Sequence, residues 1–426
     1  MPSEPLLWLQ QLALLAGPGQ QSQAGEALID ADGALLATGE TAGALARQAG
    51  LTPRSAAGLL LAPALVDPHS VLEDPLLSRA ETLTSLAAAA AAGGYGQVAL
   101  LPWGEPPRDH PGALQWHWPE PLRLHLWASL SCGDGGTALT PHRELLEAGA
   151  IGLASDAELP DSHLLQRSLE LGEAGSHPLL LAPRQRNLSG GGLVRESVEA
   201  LRAGWPTDPI ASETLPLASL ISLQQMHPQQ QLVLMNLSTQ AAIAALQSSA
   251  IRPMATVHWW HLLHDSGSQA ATARGWRLEP PLGAPGDRSA LREALRSGLI
   301  SAVAVHHQAL DAEEELLPID QRRPGLAGHG LVLALLWQEL VGRHGWSASE
   351  LWQALCWGPC SVLGRSPEVL EPGSRRWLLF DPQRRWRWSP ETSGSLAANQ
   401  ALAPQSTVTG LIRATGLLPA SRWQLD

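Results

Sequence analysis

The chain has 426 residues, with 28 basic and 40 acidic side chains and a net charge of -12. This charge excludes a nucleic-acid-binding surface, which requires a basic stripe. All 28 basic residues are arginine, which excludes Schiff-base lysine chemistry, a phosphate-loop lysine and a carboxylated lysine that bridges two metals. No apolar run of 18 residues free of breakers occurs, so we expect a soluble protein without a membrane span.

Residues 5 to about 57 contain short apolar runs separated by turns rich in Gly, Pro and Gln, a pattern that predicts hairpins. Strand-like and helical runs then alternate, which predicts a parallel sheet closed into a barrel. The predicted strands are Leu59–Val66, Gln97–Pro102, Leu122–Leu130, Ala150–Ala154, Pro178–Ala182, Gln231–Leu237, Met254–His258 and Ile300–His306. The predicted helices include Ala80–Ala92, Arg143–Ala148, His163–Ala174, Thr239–Ser248 and Arg288–Ser297, with Ser238-Thr239 as a helix N-cap.

Two further helical patterns, Leu331–Gly345 and Ser347–Leu363, end the barrel region. The C-terminal segments Arg376–Pro382 and Ser406–Gly416 again have strand character. Three cysteines, Cys132, Cys356 and Cys360, form no disulfide framework, and two nearby thiols alone make no zinc site. We therefore expect structural, reduced thiols and a cytoplasmic protein. The short apolar N-terminus lacks a basic leader, so we predict no signal peptide.

The stretch Asp67-Pro-His-Ser-Val-Leu-Glu-Asp-Pro75 directly follows the first predicted strand of the barrel. It resembles the Asp-x-His-x-His-Leu-Arg-Glu-Pro motif of the dihydroorotases, which are cyclic amidohydrolases. Further stretches along residues 55 to 415 resemble the same family, among them Leu234-Met-Asn-Leu-Ser-Thr239 and Arg376-Trp-Leu-Leu-Phe-Asp-Pro382. The resemblance implies a (β/α)8 TIM-type barrel over residues 58–370. It also implies a small β-sandwich made from residues 1–57 and 371–426.

Such hydrolases hold one or two zinc ions on imidazoles and carboxylates, and the metal lowers the pKa of a bound water. The resemblance places His69 at the first ligand position. The carboxylate ligand aligns with Ser155 or, one residue later, Asp156, and these alternatives stay open. The other ligand positions carry residues that bind zinc poorly or not at all: Val71, Ala182 and Asn236. Among the expected metal ligands, we therefore predict that only His69 and Asp156 remain.

The resemblance also implies which residues handle the substrate. His306 stands where the family has the aspartate that acts as general base. Glu73 replaces the substrate arginine, Trp103 replaces an asparagine that holds the substrate carboxylate, and Glu279 replaces another asparagine. Two carboxylates and a bulky indole would repel or exclude an anionic substrate.

Two alternatives to a lost metal site follow from the residues themselves. The segment His258-Trp-Trp-His-Leu-Leu-His264 spaces imidazoles by three residues, so it could build a relocated zinc site near His306 and His307. Ordinary surface or pocket histidines are the competing interpretation. Arg322-Arg323-Pro324 is interpreted as a solvated loop, with anion binding as its alternative.

These observations predict a dihydroorotase-like protein of pyrimidine biosynthesis that is catalytically inactive, needs no cofactor and has a structural or partner-binding function. Some inactive bacterial chains of this kind are associated with aspartate carbamoyltransferase, so the resemblance implies that enzyme as partner and an oligomeric assembly. The alternative is an active zinc-dependent hydrolase of dihydroorotate or a related cyclic amide.

Overall fold

The structure is a computed structural model that describes residues 5–132, 136–270 and 273–425. Its centre is a sheet of eight parallel strands that neighbour one another in the order in which they occur along the chain. Their interiors are apolar and buried, as expected for strands covered by helices on the outside. The strands are Leu65–Ser70, Tyr95–Leu100, Arg123–Ser129, Gly152–Ala154, Leu179–Leu181, Leu232–Leu234, Met254–His258 and Ala302–Ala304. This confirms the predicted α/β barrel.

Backbone hydrogen bonds between the first and last strand regions close the barrel. The His306 amide donates to the His69 carbonyl at 3.1 Å, and the Val71 amide donates to the His307 carbonyl at 2.8 Å. The Asp67 carboxylate adds a bond by accepting from the Val305 amide at 3.0 Å. Closure therefore occurs at the carboxyl ends of the strands, where it brings His69 and His306 together.

Helices connect the strands, and several begin at a side-chain cap. Thr82 and Thr239 each accept a backbone N–H with their side chains, so the predicted cap at Thr239 is confirmed. The α-helices up to the last barrel strand are Gly39–Gln48, Leu83–Ala92, His142–Glu147, Ser162–Leu171, Arg186–Ser189, Val198–Ala203, Ala211–Met226, Gln240–Ser248 and Pro285–Arg296. The long Ala211–Met226 helix was not predicted, since Pro216 interrupts its sequence pattern.

After the last barrel strand the chain is again helical. The α-helices are Ala312–Glu315, Val332–Leu336, Ala348–Trp352, Gly358–Val362 and Pro390–Ser393, and π-helical turns cover Trp337–Arg343 and Gln353–Trp357. A Cβ added to Gly358 would lie 1.9 Å from the Ser301 carbonyl oxygen, so the helix approaches the barrel closely there only because the residue is glycine. Within the described residues, no helix combines the length and hydropathy that a membrane crossing needs.

The two chain ends form one separate β-sheet. Its strands are Pro5–Leu14, Gln23–Asp30, Leu35–Thr38, Arg54–Ser55, Leu60–Pro63, Trp377–Arg387 and Thr407–Thr415. The predicted strand Leu59–Val66 is in fact two strands, because Leu60–Pro63 pairs with the terminal sheet and only Leu65–Ser70 enters the barrel. The terminal sheet therefore extends beyond residue 57, and its strands form one hydrogen-bonded sheet rather than two stacked ones.

Candidate functional site at the barrel mouth

A pocket of about 240 Å³ opens at the carboxyl ends of the barrel strands, where barrel enzymes place their chemistry. It is lined by residues that follow six of the eight strands and by two later loops. The lining residues are Glu73, Trp103, Ala157, Ala182, Arg184, Arg186, Met235, Asn236, Glu279, Pro280, His306, Gln308, Arg323 and Pro324. Six of the residues predicted from the sequence are thus in or beside one pocket: Glu73, Trp103, Ala182, Asn236, Glu279 and His306.

His69 lies beneath this pocket and is fully buried. Its Nδ1 atom is 3.0 Å from Nδ1 of His306, and its Nε2 atom is 2.9 Å from the Thr256 hydroxyl. Both ring nitrogens of His69 are therefore engaged by protein groups. Neither is left to coordinate an ion.

The Thr256 hydroxyl fixes the direction of this chain of hydrogen bonds. The hydroxyl has one hydrogen, and a carbonyl oxygen, that of Leu234 at 3.2 Å, can only accept it. The same hydroxyl also accepts from the Asn236 amide at 2.9 Å. With the hydroxyl hydrogen on the Leu234 carbonyl, His69 donates to Thr256 through Nε2–H, and its Nδ1 accepts the proton of His306 Nδ1. In this arrangement His306 carries its lone pair on Nε2, and the residue lines the pocket.

Burial holds both imidazoles in their neutral form. Desolvation, followed by the charge of His306, lowers the pKa of His69 well below its usual value. Desolvation likewise lowers the pKa of His306 to about 4, against a weak opposing effect of Asp67. At neutral pH the pair is uncharged, in agreement with the single shared proton of the hydrogen bond.

The resemblance expects metal ligands at three further positions, but the residues there do not provide a group of donor atoms for a metal ion. Val71 is 2% exposed and lies in the hydrophobic core, and Ala182 presents a methyl group to the pocket. Asn236 is buried with φ 52°, and its Oδ1 has no hydrogen-bond partner among the described residues. A positive φ at a non-glycine residue is an uncommon conformation, and His306 shares it with φ 45°.

The two residues left open at the carboxylate position have different environments. Ser155 is buried; its hydroxyl donates to the Asp156 carbonyl at 2.8 Å and accepts from the Ala182 amide at 2.9 Å. Asp156 is exposed and does not line the pocket. Partial desolvation and the nearby Glu158 raise the pKa of Asp156. The structure therefore does not bring Asp156 together with His69, contrary to the expected remnant pair.

Glu73 and Glu279, at two of the substituted substrate positions, each form an ion pair with an arginine. Glu73 forms an ion pair with Arg323, which also contacts Glu314 at 2.6 Å. Glu279 lies 3.3 Å from Arg184, and Arg184 reaches the buried Asp208 at 2.9 Å. Arg323 is therefore part of the mouth rather than only a solvated loop residue. Three arginines line the pocket: Arg184, Arg186 and Arg323. Sequence analysis did not place them there, although it gave anion binding as the alternative for the segment Arg322-Arg323-Pro324.

Trp103 forms one wall of the pocket. Its indole N–H donates to the Ser155 carbonyl at 2.9 Å, and its ring meets the ring of His306 edge-on at 5.6 Å between centroids. The indole has no second donor, so it offers the pocket only its apolar surface. That Trp103 excludes an anion from the pocket stays a prediction.

A buried polar network supports the far side of the mouth. Arg195 is 3% exposed and contacts Ser238 at 2.6 Å and Glu213 and Asp208 at 3.4 Å each. The Glu213 carboxylate also accepts from the Ser238 amide at 2.7 Å. The network links the Val194–Arg195 strand to the end of the Leu232–Leu234 strand. Sequence analysis missed it because its members are separated by up to 43 residues.

Only part of the alternative zinc site comes together: the ring of His258 lies 5.6 Å from that of His261 and 5.9 Å from that of His306 between centroids. Nδ1 of His258 accepts from the Trp260 amide at 3.1 Å, His261 Nε2 lies 3.3 Å from the Pro281 carbonyl, and His264 stacks on Trp260 at 4.2 Å. Within the described ranges, no group of three or more His, Cys, Asp or Glu side chains has the arrangement to hold a metal ion. The residues at the mouth thus do not fit the zinc site that the resemblance implies.

Comparison with known proteins agrees with the barrel fold. An L-hydantoinase (dihydropyrimidinase) from Arthrobacter aurescens shares the fold with a TM-score of 0.78 and 18% identity, over 96% of this chain and 94% of that one. A dihydroorotase from Solibacter usitatus is 26% identical over 357 residues, which cover 81% of this chain and 82% of that protein. No family model matches the chain.

The shared fold and the sequence relatives together define a protein of the cyclic amidohydrolase class. A probable dihydroorotase-like protein from Synechocystis sp. is 37% identical over 381 residues, covering 80% of this chain and 84% of that protein. The chain therefore belongs to the dihydroorotase-like family.

Proposed function

We propose that this chain is a dihydroorotase-like protein of pyrimidine biosynthesis that does not hydrolyse cyclic amides and serves as the structural partner of another protein. The observation that carries the proposal is the hydrogen bond between Nδ1 of His69 and Nδ1 of His306. A zinc-dependent hydrolase needs the lone pair of such a histidine directed at an ion, whereas the lone pair of His69 Nδ1 is used within the protein. The changes at the other expected ligand positions point in the same direction.

The scaffold around the altered site is preserved. The barrel closes through well-formed backbone bonds at His69 and Val71, and strands from both ends of the chain pair in the terminal sheet. A structural function needs the fold but not the reaction, so this combination supports it. By resemblance we propose aspartate carbamoyltransferase as the partner. We also propose that the protein acts in the cytoplasm, where its three free cysteines would stay reduced.

The absence of hydrolysis is tested on purified full-length protein. Zinc is measured by mass spectrometry after desalting, and dihydroorotate turnover is measured in both directions with added zinc. We expect neither bound zinc nor turnover above that of buffer with zinc. About one zinc ion per chain would contradict the proposal, since a three-ligand zinc site retains its metal.

The partner is tested separately by mixing the protein with the aspartate carbamoyltransferase of the same organism. We expect a stable complex in size-exclusion chromatography with light scattering. Two proteins that elute unchanged over the accessible concentration range would contradict this choice of partner.

One observation favours an active cyclic amidohydrolase as the second candidate. The pocket of about 240 Å³ is open, and His306, which stands at the family's general-base position, lines it. The substrate would be dihydroorotate or a related cyclic amide, with zinc as the cofactor. The zinc and turnover measurements separate the two candidates directly.

A further inference from the structure

Two neighbouring segments of the mouth expose large apolar side chains. Residues 73–80 follow the first barrel strand, and residues 311–324 follow the last one. Leu76 and Leu77 in the first segment are 76% and 85% exposed, and Leu316 in the second is 86% exposed. Leu317, beside Leu316, is 40% exposed. Exposed apolar side chains grouped at one place commonly mark an interaction site.

The first segment holds its leucines in a fixed turn. The Asp74 carboxylate accepts from the amides of Leu76 and Leu77, at 3.0 Å each. The segment starts from the buried residues Val71 and Leu72, and Pro75 is buried within it. The turn is thus anchored below and hydrogen-bonded within, so the two leucine side chains project outward from an ordered backbone.

The second segment presents its leucines on the side that meets the first segment. Glu313 lies 3.2 Å from Arg79, which follows Leu77 by two residues. Leu316 and Leu317 come three and four residues after Glu313, and their amides continue the helical turn by bonding to the carbonyls of Glu313 and Glu314. Side chains at this spacing share one helix face. The ion pairs of Arg323 with Glu73 and Glu314 join the same two segments a second time.

The two segments that carry these leucines are acidic. Residues 73–80 and 311–324 contain seven acidic and three basic residues, so they carry four of the chain's twelve excess negative charges. All ten of these charged residues are at least partly exposed. We call the four leucines, together with the charged residues of their two segments, the acidic leucine patch.

We propose that the acidic leucine patch docks a partner protein whose surface presents an apolar hollow ringed by basic side chains. The proposal rests on the proposed function, because it identifies the surface that performs the partner-binding task. Charge selects the occupant: a second copy of this chain would bring the same acidic patch against itself, and like charges in contact are unfavourable. An anionic membrane surface is disfavoured for the same reason.

The chemistry of the patch is tested with synthetic peptides, independently of any natural partner. The probes are an amphipathic Leu–Lys peptide and a Leu–Glu peptide of the same pattern. The test variant is Leu77→Ser/Leu316→Ser, and the control is Ile251→Ser, since Ile251 is 44% exposed and precedes the Met254–His258 strand at the opposite end of the barrel. Thermal unfolding confirms that each variant is folded.

We expect the wild-type protein and the Ile251→Ser control to bind the Leu–Lys peptide equally and to lose affinity as salt is raised. The double leucine variant should bind it at least about tenfold more weakly, because removing two anchors costs more than 1.4 kcal/mol. Unchanged binding by the leucine variant, or equal binding of the Leu–Glu peptide, would overturn the proposal.

The same variants are then mixed with aspartate carbamoyltransferase. Loss of the complex in the leucine variant alone supports the patch as its docking surface. A complex that survives in the leucine variant overturns the patch and leaves the proposed function intact. No complex with the wild-type protein contradicts the partner, whereas the peptide result still decides the patch.

Discussion

The imidazoles of His69 and His306 share one hydrogen bond of 3.0 Å between their Nδ1 atoms, although the residues are 237 positions apart in the chain. The bond forms because barrel closure pairs their backbones, with the His306 amide donating to the His69 carbonyl. Thr256 supports the other side of His69 at 2.9 Å. The result is a neutral buried relay in which only His306 reaches the pocket.

Replacing Thr256 with valine should destabilise the protein by about 2–3 kcal/mol. Valine matches threonine in shape, but it leaves the buried Nε2–H of His69 and the Asn236 amide without an acceptor. The free energy of unfolding in urea checks this. Thr256→Ser keeps the hydroxyl and should cost clearly less. Equal losses for the two variants would show that the methyl group matters rather than the relay.

Restoring donors around His69 should create a zinc site. The variant Val71→His/Asn236→His/His306→Asp places three ligating side chains at the positions that the resemblance assigns to metal binding or proton transfer. We expect it to retain about one zinc ion per chain after desalting, measured by mass spectrometry. The control Val71→Phe/Asn236→Leu/His306→Asn adds no comparable set of donors and should retain none. Equal zinc contents would mean that these positions do not converge on an ion.

Removing Arg195 should cost about 3–5 kcal/mol of stability. The guanidinium is the partner of two buried carboxylates, Asp208 and Glu213, and an uncompensated buried charge is strongly unfavourable. Arg195→Met can be compared with Arg79→Met, which removes an ion pair with both side chains more than three-quarters exposed. The second change should leave the unfolding midpoint nearly unaltered. Similar effects of the two substitutions would contradict the structural importance of the buried network.

Acid should destabilise the protein through its buried neutral histidines. Desolvation lowers the pKa of His261 to about 4, whereas an unfolded histidine titrates near 6.5. Below about pH 6.5 the unfolded chain therefore binds a proton that the native protein does not. The free energy of unfolding then falls as the pH falls from about 6.5 to 4, by about 1.4 kcal/mol per pH unit for one such site.

His261→Gln isolates this contribution, since glutamine can still donate to the Pro281 carbonyl that His261 Nε2 contacts at 3.3 Å. Urea unfolding at pH 7 and pH 5 should give a smaller pH dependence for the variant, by about one proton. Other buried histidines, such as His306, continue to contribute in both proteins. Parallel pH profiles for the variant and the wild-type protein would rule out titration of His261 in this window.

Local pattern and the family resemblance together predicted the barrel, because most of its strands are short apolar runs that must be buried. The local pattern was not sufficient for the Ala211–Met226 helix, because Pro216 interrupts the helical sequence pattern. Packing of the buried residues maintains the helix. Nor could the local pattern divide Leu59–Val66 between two sheets. That division depends on whether Leu60–Pro63 pairs with the distant strand Trp377–Arg387.

The amino-acid sequence by itself determined that two expected ligand positions are chemically empty, because the side chains of Val71 and Ala182 have no lone pair in any conformation. Tertiary structure alone decided what the remaining groups do. His69 has a lone pair, and only the approach of His306 and Thr256 uses it within the protein. Asp156 has a carboxylate, and only the course of the backbone after its strand points it into solvent. Whether a side chain has a lone pair to donate depends on its covalent structure, whereas the direction of that lone pair depends on long-range packing.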